Sequence, residues 1–294
     1  MGYDPKKQTE NIRKAVIPIV DLIEEGHDVV ICHGNGPQVG LIDEAFENSK
    51  KHNDTPFMPL CECGAMSQGY IGYELEQALN NELRRRNIAK TCVTILSETL
   101  VDENDEAFEG PCKPIGRYCS LQEKLLLEKE RGYLFKMIQG KGYRRLVASP
   151  KPRKILQTEA IAKLMKEHIV ICGGGGGIPV IEKDGMLQGV DAVVDKDLSS
   201  ALIASDIDAD LLMILMEEDY VCLDFGKESQ RDLKRVSVNE LQAYLEEGQF
   251  PFGSMYPKVR ACIDFVREDK EAIITSLDLA LVSLTEDKGT HITK

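Results

Sequence analysis

The sequence predicts an α/β domain in which a mostly parallel β-sheet is covered by helices. Segments whose apolar residues recur with the helical period alternate with short runs of β-branched residues, which is typical of strand–helix units. The chain has 294 residues, of which 43% are apolar, and this is enough for one domain with a large core. The stretch at about residues 102–146 breaks the alternation with charged residues, Gly and Pro. Because a structureless loop of that length is unusual, we interpret it as a small subdomain inserted at the sheet edge.

The individual elements follow from the same pattern. A first helix is expected at about residues 9–25, ended by Gly26 and with Pro18 inside it, followed by a buried strand at residues 28–32. The remaining expected elements are a helix at 65–86, an extended run at 91–101, strands at 211–216 and 221–225, helices near 238–246 and 254–266, and a last core strand at 272–275.

Composition excludes several classes of function. The chain carries 36 Lys and Arg against 49 Asp and Glu, a net charge of −13, which disfavours binding to nucleic acid or to an anionic membrane. No apolar run is long enough to span a bilayer, and the opening residues lack the apolar core of a signal peptide. The nine cysteines are scattered, without the spacing of a zinc site, so we expect core thiols in a reducing cytoplasm. Any anionic ligand must therefore be held by a local cluster of cations and N–H donors.

The first candidate for such a cluster lies in the segment His-Gly-Asn-Gly-Pro-Gln at residues 33–38. An apolar strand ends here, Gly34 and Gly36 flank Asn35, and Pro37 stands where a helix would begin. Glycines let backbone N–H groups approach an anion, and a helix N-terminus adds partial positive charge. The alternative is a plain strand-to-helix turn, which hardly needs two glycines around an asparagine.

A second glycine-rich segment, residues 173–177, follows the predicted strand at 168–172. Ordering five glycines costs considerable conformational entropy, so a purely structural turn is unexpected. A predicted hairpin at residues 182–185 replaces the helix of a dinucleotide-binding motif, and the chain contains no P-loop sequence. A glycine run by itself remains a weak signal.

Two lysines occur at predicted helix starts, where a cation opposes the helix dipole. Lys196 stands between Asp195 and Asp197, two aspartates that helix capping explains. Lys258 follows Ser254, an expected N-cap. Each lysine alone is usually a solvated residue, but two beside glycine-rich loops favour neutralisation of a polyphosphate. Lys113, in the inserted segment, would on spacing alone be a solvated loop lysine.

Taken together, these segments resemble carbamate kinases, which have the amino-acid-kinase fold. The similar segments include HGNGPQVG at 33–40, KPIG at 113–116, GGGGIPVI at 174–181, AVVDKDLSSALIA at 192–204 and EEGQFPFGSMYPKV at 246–259. The resemblance implies a single domain over residues 1–294, built as a three-layer α/β/α sandwich around an eight-stranded, mainly parallel sheet. It implies that the inserted subdomain protrudes over the site and that the protein is a homodimer.

The resemblance also implies an activity, the reversible reaction of ATP and carbamate to ADP and carbamoyl phosphate. The cofactor would be Mg²⁺, bound through the phosphates of ATP or ADP and not by the protein. Enzymes of this family mostly run toward ATP in arginine or ureide catabolism.

Residue roles are implied by the same resemblance. Lys196 and Lys258 would stabilise the bridging and leaving oxygens of the phosphoryl transfer. Asp197 would orient these two lysines, and Lys113 would contact the small substrate. The remaining implied contacts are Gly34, Asn35, Gly36, Gly174, Gly175 and Gly176 for phosphoryl group or carbamate, and Tyr220, Met255 and Lys258 for the nucleotide.

The sequence departs from the family in three places, one of which is the replacement of the usual residues after KPIG by Arg117 and Cys119. Family members open with an apolar strand and a Gly-Gly-Asn loop, and this sequence begins just after that loop would end, so we expect both to be missing. Met216-Glu217-Glu218 replaces the usual turn on the nucleotide side, and its two carboxylates would repel ATP unless they are compensated. Two alternatives therefore stay open: a carbamate-kinase-like protein with lost or weak transfer that acts as a ligand-binding or assembly subunit, and a relative acting on another small carboxylate.

Overall fold

The structure, a computed structural model, describes residues 4–53, 56–251 and 253–294, with side chains of 50–53 excepted. Residues 1–3 are outside this description. The prediction that the family's opening strand and loop are missing concerns this end of the chain and stays a prediction. The described α-helices are α1 (Pro5–Glu24), α2 (Gly36–Asn53), α3 (Leu60–Arg85), α4 (Leu121–Arg131), α5 (Thr158–Leu164), α6 (Lys196–Asp206), α7 (Val238–Glu246) and α8 (Met255–Phe265). The strands are β1 (Val30–Ile31), β2 (Thr91–Thr94), β3 (Glu98–Leu100), β4 (Lys113–Cys119), β5 (Leu134–Ile138), β6 (Gly142–Val147), β7 (Lys154–Ile155), β8 (His168–Ile171), β9 (Ile178–Lys183), β10 (Met186–Gly189), β11 (Leu211–Met216), β12 (Val221–Leu223), β13 (Arg231–Leu233), β14 (Arg235–Ser237), β15 (Glu271–Ser276) and β16 (Thr290–Thr293).

Helix starts differ from the prediction where the cap lies outside the apolar pattern. Helix α1 begins at Pro5 because the carboxylate of Asp4 accepts hydrogen bonds from the N–H groups of Lys6 and Lys7. Helix α3 begins at Leu60, whose N–H donates to Asp191 Oδ1 at 2.8 Å. That capping residue is far away in the sequence, so local periodicity could not reveal the start.

A parallel three-stranded sheet, in the order β1–β8–β2, brings the predicted loops to one edge. Val30 pairs with Val170 and Ile31 with Ile171, so both strands end at the same level. Strand β1 is shorter than the predicted residues 28–32, because only its last part pairs with β8. The loops after β1 and β8 must therefore meet.

The α/β class is confirmed, but the single eight-stranded sheet is not found among the described residues. Their strands form five separately hydrogen-bonded sheets, two of them four-stranded, in the orders β10–β9–β3–β7 and β11–β15–β16–β14. Both of these are of mixed direction: the hairpin turn after β9 reverses the chain, and β16 runs antiparallel to β15. Strand β16 was not predicted.

The inserted segment has its own antiparallel sheet, in the order β4–β6–β5, with α4 packed against it. A small apolar cluster that includes Val39, Ile115 and Val147 joins this sheet to α2. The subdomain boundary at about residues 102–146 stays a prediction.

Two larger apolar clusters pack the helices against the strands. One packs α1 and α3 against β2 and β8, and the other packs α6, α7 and α8 against β11 and β15. None of the described helices is both long and apolar enough to cross a membrane.

Candidate active site

The loops that follow β1 and β8 contact each other directly. The N–H of Gly175 donates to the carbonyl of His33 at 2.7 Å. Asn35 is buried between the loops, and its Nδ2 donates to Ser67 Oγ at 2.8 Å. Gly175 has φ +64°, and a Cβ there would lie 2.1 Å from Asn35 Nδ2, so only glycine fits. The two glycine-rich segments form one continuous cradle.

Hydroxyl groups hold the second glycine segment in place. Gly173 N–H donates to Ser97 Oγ at 3.0 Å, while the carbonyl of Gly176 accepts from Thr99 Oγ1 at 2.7 Å and from Ser199 Oγ at 2.8 Å. All three hydroxyl residues are fully buried. They were not predicted, because single short polar residues in a strand, a loop or a helix carry no distinctive local signal.

Asp197 brings Lys196 and Lys258 together. Its Oδ1 lies 3.2 Å from Lys196 Nζ, and its Oδ2 accepts from Lys258 Nζ at 2.8 Å. The carboxylate is buried, with 6% of its side chain exposed, whereas the lysines keep 35% and 17%. The Lys196 stem passes Gly34 so closely that a Cβ there would be 3.4 Å from its Cδ. Each carboxylate oxygen thus holds one ammonium group beside the cradle.

Asp195 holds the third lysine, from the inserted segment. Lys113 Nζ lies 2.5 Å from Asp195 Oδ2, while Asp195 Oδ1 accepts the N–H of Asp197 at 2.9 Å. Although burial acts in the opposite direction, the Lys113 ammonium holds the pKa of Asp195 below its usual value. The predicted cap is therefore correct, but the residue also pairs with a cation. Sequence analysis missed this role because the cap alone explains the aspartate.

The cluster carries an excess of positive charge. Three ammonium groups, from Lys113, Lys196 and Lys258, face two carboxylates, from Asp195 and Asp197. The neighbouring helix α6 begins at Lys196, so its N-terminal N–H groups add to the positive potential. An anion with several phosphate oxygens suits such a cluster despite the net charge of −13 on the whole chain.

Two of the predicted nucleotide-binding residues, Tyr220 and Met255, are not bonded to the lysine cluster within the described residues. Met255 lies one turn before Lys258 on α8 and packs against the neighbouring apolar cluster. Ser254 occupies the N-cap position of that helix but makes no capping hydrogen bond with its side chain. Tyr220 directly precedes β12 and is half-buried. Within the described residues, no hydrogen bond or ion pair joins Tyr220 or Met255 to the three lysines.

His33 has a structural environment. Its Nδ1 lies 3.0 Å from the carbonyl oxygen of Gly34, and a Cβ at Gly174 would collide with its ring. Burial lowers the pKa of His33, so the ring is neutral near pH 7. These contacts indicate a structural role for His33.

Comparison with known proteins places these features in a family. The family model described as "Amino acid kinase family" matches residues 4–276. A carbamate kinase from Clostridium perfringens is 47% identical over 98% of this chain and 93% of its own, and one from Staphylococcus epidermidis is 43% identical over 100% and 96%.

Solved structures agree with the sequence comparison. The carbamate kinase from Giardia lamblia bound to AMP-PNP superposes with a TM-score of 0.92 at 39% identity, covering 100% of this chain and 93% of that one. The chain belongs to the amino acid kinase family and, within it, to the carbamate kinases.

Proposed function

We propose that this chain uses the lysine cluster to transfer a phosphoryl group reversibly between ATP and carbamate, giving ADP and carbamoyl phosphate. One observation carries this assignment of roles: two buried aspartates hold three lysines beside a cradle formed by two glycine-rich loops. Its full-length relatives are carbamate kinases, and nothing in the comparisons favours a protein that only binds ligands or assembles with others.

The chemistry of the substrate matches this cluster. Carbamate is already an anion with a nucleophilic oxygen, so its attack on the γ-phosphorus needs no general base. As the new O–P bond forms, the bond to the ADP oxygen breaks and its electron pair stays with ADP. Catalysis then depends on alignment and on neutralising charge at the phosphoryl and leaving oxygens.

The lysines and loops divide this work. Lys196 and Lys258 neutralise the oxygens of the transferring group, and Asp197 fixes the distance between their two ammonium groups. The N–H groups of residues 34–36 and the backbone of residues 174–176, together with Asn35, surround the phosphoryl group or the carbamate. Lys113 approaches the small substrate from the inserted segment.

The nucleotide binds on the side of Tyr220, Met255 and Lys258. Nucleotide binding itself is supported by the Giardia relative, whose structure is bound to the ATP analogue AMP-PNP. Mg²⁺ would be bound by the nucleotide, with the phosphate oxygens as its ligands. The described residues offer no group of three or more potential metal ligands, and Asp195 and Asp197 are already paired with ammonium groups. When bound, the ion would neutralise phosphate charge.

The proposal extends to the setting of the enzyme: a homodimer in a reducing cytoplasm that mainly makes ATP from carbamoyl phosphate. No disulfide forms among the nine cysteines, all of which lie within the described residues, and this supports a reducing compartment. Size-exclusion chromatography with light scattering tests the dimer, and the ratio of forward to reverse rates tests the direction.

A coupled assay tests the activity directly. Purified protein with carbamoyl phosphate, ADP and Mg²⁺ is expected to form ATP, measured through hexokinase and glucose-6-phosphate dehydrogenase. Lys196→Met is expected to lower kcat/KM by about 100-fold or more, because one stabilising charge is lost from the transition state. Lys163→Met is the matched control, since this lysine is 72% exposed on α5. Folded protein that binds ADP in calorimetry but forms no ATP would support the ligand-binding alternative.

A further inference from the structure

Helix α2 connects the substrate cradle to the inserted segment. It begins at Gly36, directly after Asn35 of the cradle. Asp43 lies seven residues, or about 10 Å, further along the helix and faces the inserted segment. The same rigid element therefore reaches the cradle at one end and the subdomain two turns later.

A buried polar cluster joins α2 to that segment. We call it the Arg145 cluster, and its members are Asp43 and Glu47 from α2 and Tyr133 and Arg145 from the segment. Arg145 Nη1 donates to Asp43 Oδ2 at 2.9 Å, and the Arg145 guanidinium stacks on the Tyr133 ring at 3.5 Å. Tyr133 donates to Glu47 Oε1 at 3.0 Å. Side chains of Asp43, Arg145 and Glu47 are only 10–13% exposed.

Close backbone packing reinforces this interface. A Cβ on Gly40 of α2 would lie 2.4 Å from the Cα of Gly116 in β4. The backbones of α2 and β4 are thus in direct contact here and cannot come closer to each other. The neighbouring apolar contacts bury surface but do not specify an angle, whereas a guanidinium held by a carboxylate and an aromatic ring has one orientation.

The strand that carries Arg145 is hydrogen-bonded to the strand that carries Lys113. In the β4–β6 pairing, Ile115 lies opposite Arg145 and Lys113 lies opposite Val147. A displacement of Arg145 relative to α2 therefore moves Lys113 with it. Lys113 Nζ reaches Asp195 across the site, 2.5 Å away, so a small displacement is enough to break that contact.

We propose that Arg145 is a positioning residue: by bridging Asp43 and Tyr133 it sets the place of Lys113 relative to the substrate cradle. The proposal rests on the role proposed above for Lys113. Arg145 itself does not contact the substrate. Its effect on turnover must pass through Lys113, which makes the two residues interdependent.

A double-mutant cycle tests this dependence. Arg145→Met is expected to lower kcat/KM for carbamoyl phosphate by about 10- to 100-fold, because displaced catalytic groups cost rate. In a Lys113→Met background the same change is expected to cost less than about twofold. Lys129→Met is the control, since this lysine of the same subdomain is exposed on α4. Equal losses in both backgrounds would show that Arg145 acts only on stability and would overturn the proposal.

Arg145→Met leaves the Asp43 carboxylate buried without its partner and can destabilise the fold. The double variant Asp43→Asn with Arg145→Met removes both charges, and it is expected to give the same kinetic pattern in protein with an unchanged unfolding temperature. Loss of the pattern in this folded variant would also refute the proposal.

A measurement without turnover separates this proposal from the proposed function. Amine acetylation followed by mass spectrometry reports the accessibility of Lys113, whose side chain is 27% exposed while it pairs with Asp195. Arg145→Met is expected to accelerate labelling of Lys113 several-fold and to leave Lys163 unchanged. An unchanged rate at Lys113 would refute the positioning role even if the enzyme is active, whereas accelerated labelling in an inactive protein would refute only the proposed function.

Discussion

Replacing Gly175 with alanine is the sharpest test of the cradle geometry. Two costs arise at this position. The residue has φ +64°, which is unfavourable for a residue with a Cβ by about 1–2 kcal/mol. The added Cβ would also lie 2.1 Å from Asn35 Nδ2 and 2.2 Å from its Cγ, so the buried asparagine must move.

Moving Asn35 breaks its hydrogen bond to Ser67, and a buried polar group left unsatisfied costs about 1–3 kcal/mol. Gly175→Ala is therefore expected to reduce the free energy of unfolding by roughly 2–5 kcal/mol in total. Because Asn35 belongs to the cradle, kcat/KM should fall as well.

Gly185→Ala is the matched control. This hairpin glycine has a similar φ of +74°, but an added Cβ would meet nothing within 4 Å. It is expected to lose only the backbone contribution, about 1–2 kcal/mol, and to keep full activity. Urea unfolding and the coupled assay measure both quantities.

A second substitution identifies the source of the difference. Asn35→Ala shortens the side chain that the new Cβ would strike, so adding it to Gly175→Ala should restore part of the lost stability without restoring activity. The reasoning is wrong if Gly175→Ala and Gly185→Ala are equally stable and equally active, or if Asn35→Ala brings no recovery.

Three further outcomes are expected. Asp197→Asn should lower kcat by about 100-fold or more, because its two lysines lose their shared counter-charge, and steady-state kinetics on folded protein would show whether they depend on it. Gly69→Ala should raise the free energy of unfolding by about 0.5–1 kcal/mol, since nothing lies within 4 Å of the new Cβ. Gly72→Ala on the same helix should lower the free energy of unfolding, because its Cβ would lie 2.3 Å from Thr94 Cγ2. Equal shifts of the two variants in urea unfolding would contradict this. Hydrogen bonds from Arg85 and Arg86 lower the pKa of Glu82 to about 2. Its stabilising contribution is therefore present above its ordinary pKa of about 4.3 and disappears as the pH falls toward 2. Glu82→Gln should make the free energy of unfolding depend less on pH in this range.

The sequence predicted the parts of the site that break a local rule. Lys196 and Lys258 stand at helix starts where the dipole disfavours a cation, and the structure places both on the carboxylate of Asp197. The glycines of the two loops were equally visible, because their number exceeds what a turn requires. Each of these signals lies within a few residues of sequence.

The parts that escaped prediction depend on contacts between distant segments. Asp195 obeys the local rule for an N-cap, so nothing in its neighbourhood indicates that it also pairs with Lys113. Asp43 and Arg145 likewise resemble surface charges on a helix and in a charged stretch, and only the packing of the inserted sheet against α2 buries them. Local patterns cannot supply these partners because the partners are chosen by tertiary structure.

The two contacts of Asp195 would let Lys113 be both held and available in the reaction proposed above. An anionic substrate must draw the Lys113 ammonium away from Asp195, and a buried carboxylate that lost its only partner would resist this strongly. Asp195, however, gives one oxygen to Lys113 and the other to the N–H of Asp197 at the start of α6. When the lysine turns to the substrate, the carboxylate keeps its helix cap and the partial positive charge of the helix N-terminus. In the proposed reaction, the residue that caps α6 would thus also lower the cost of releasing a lysine to the substrate.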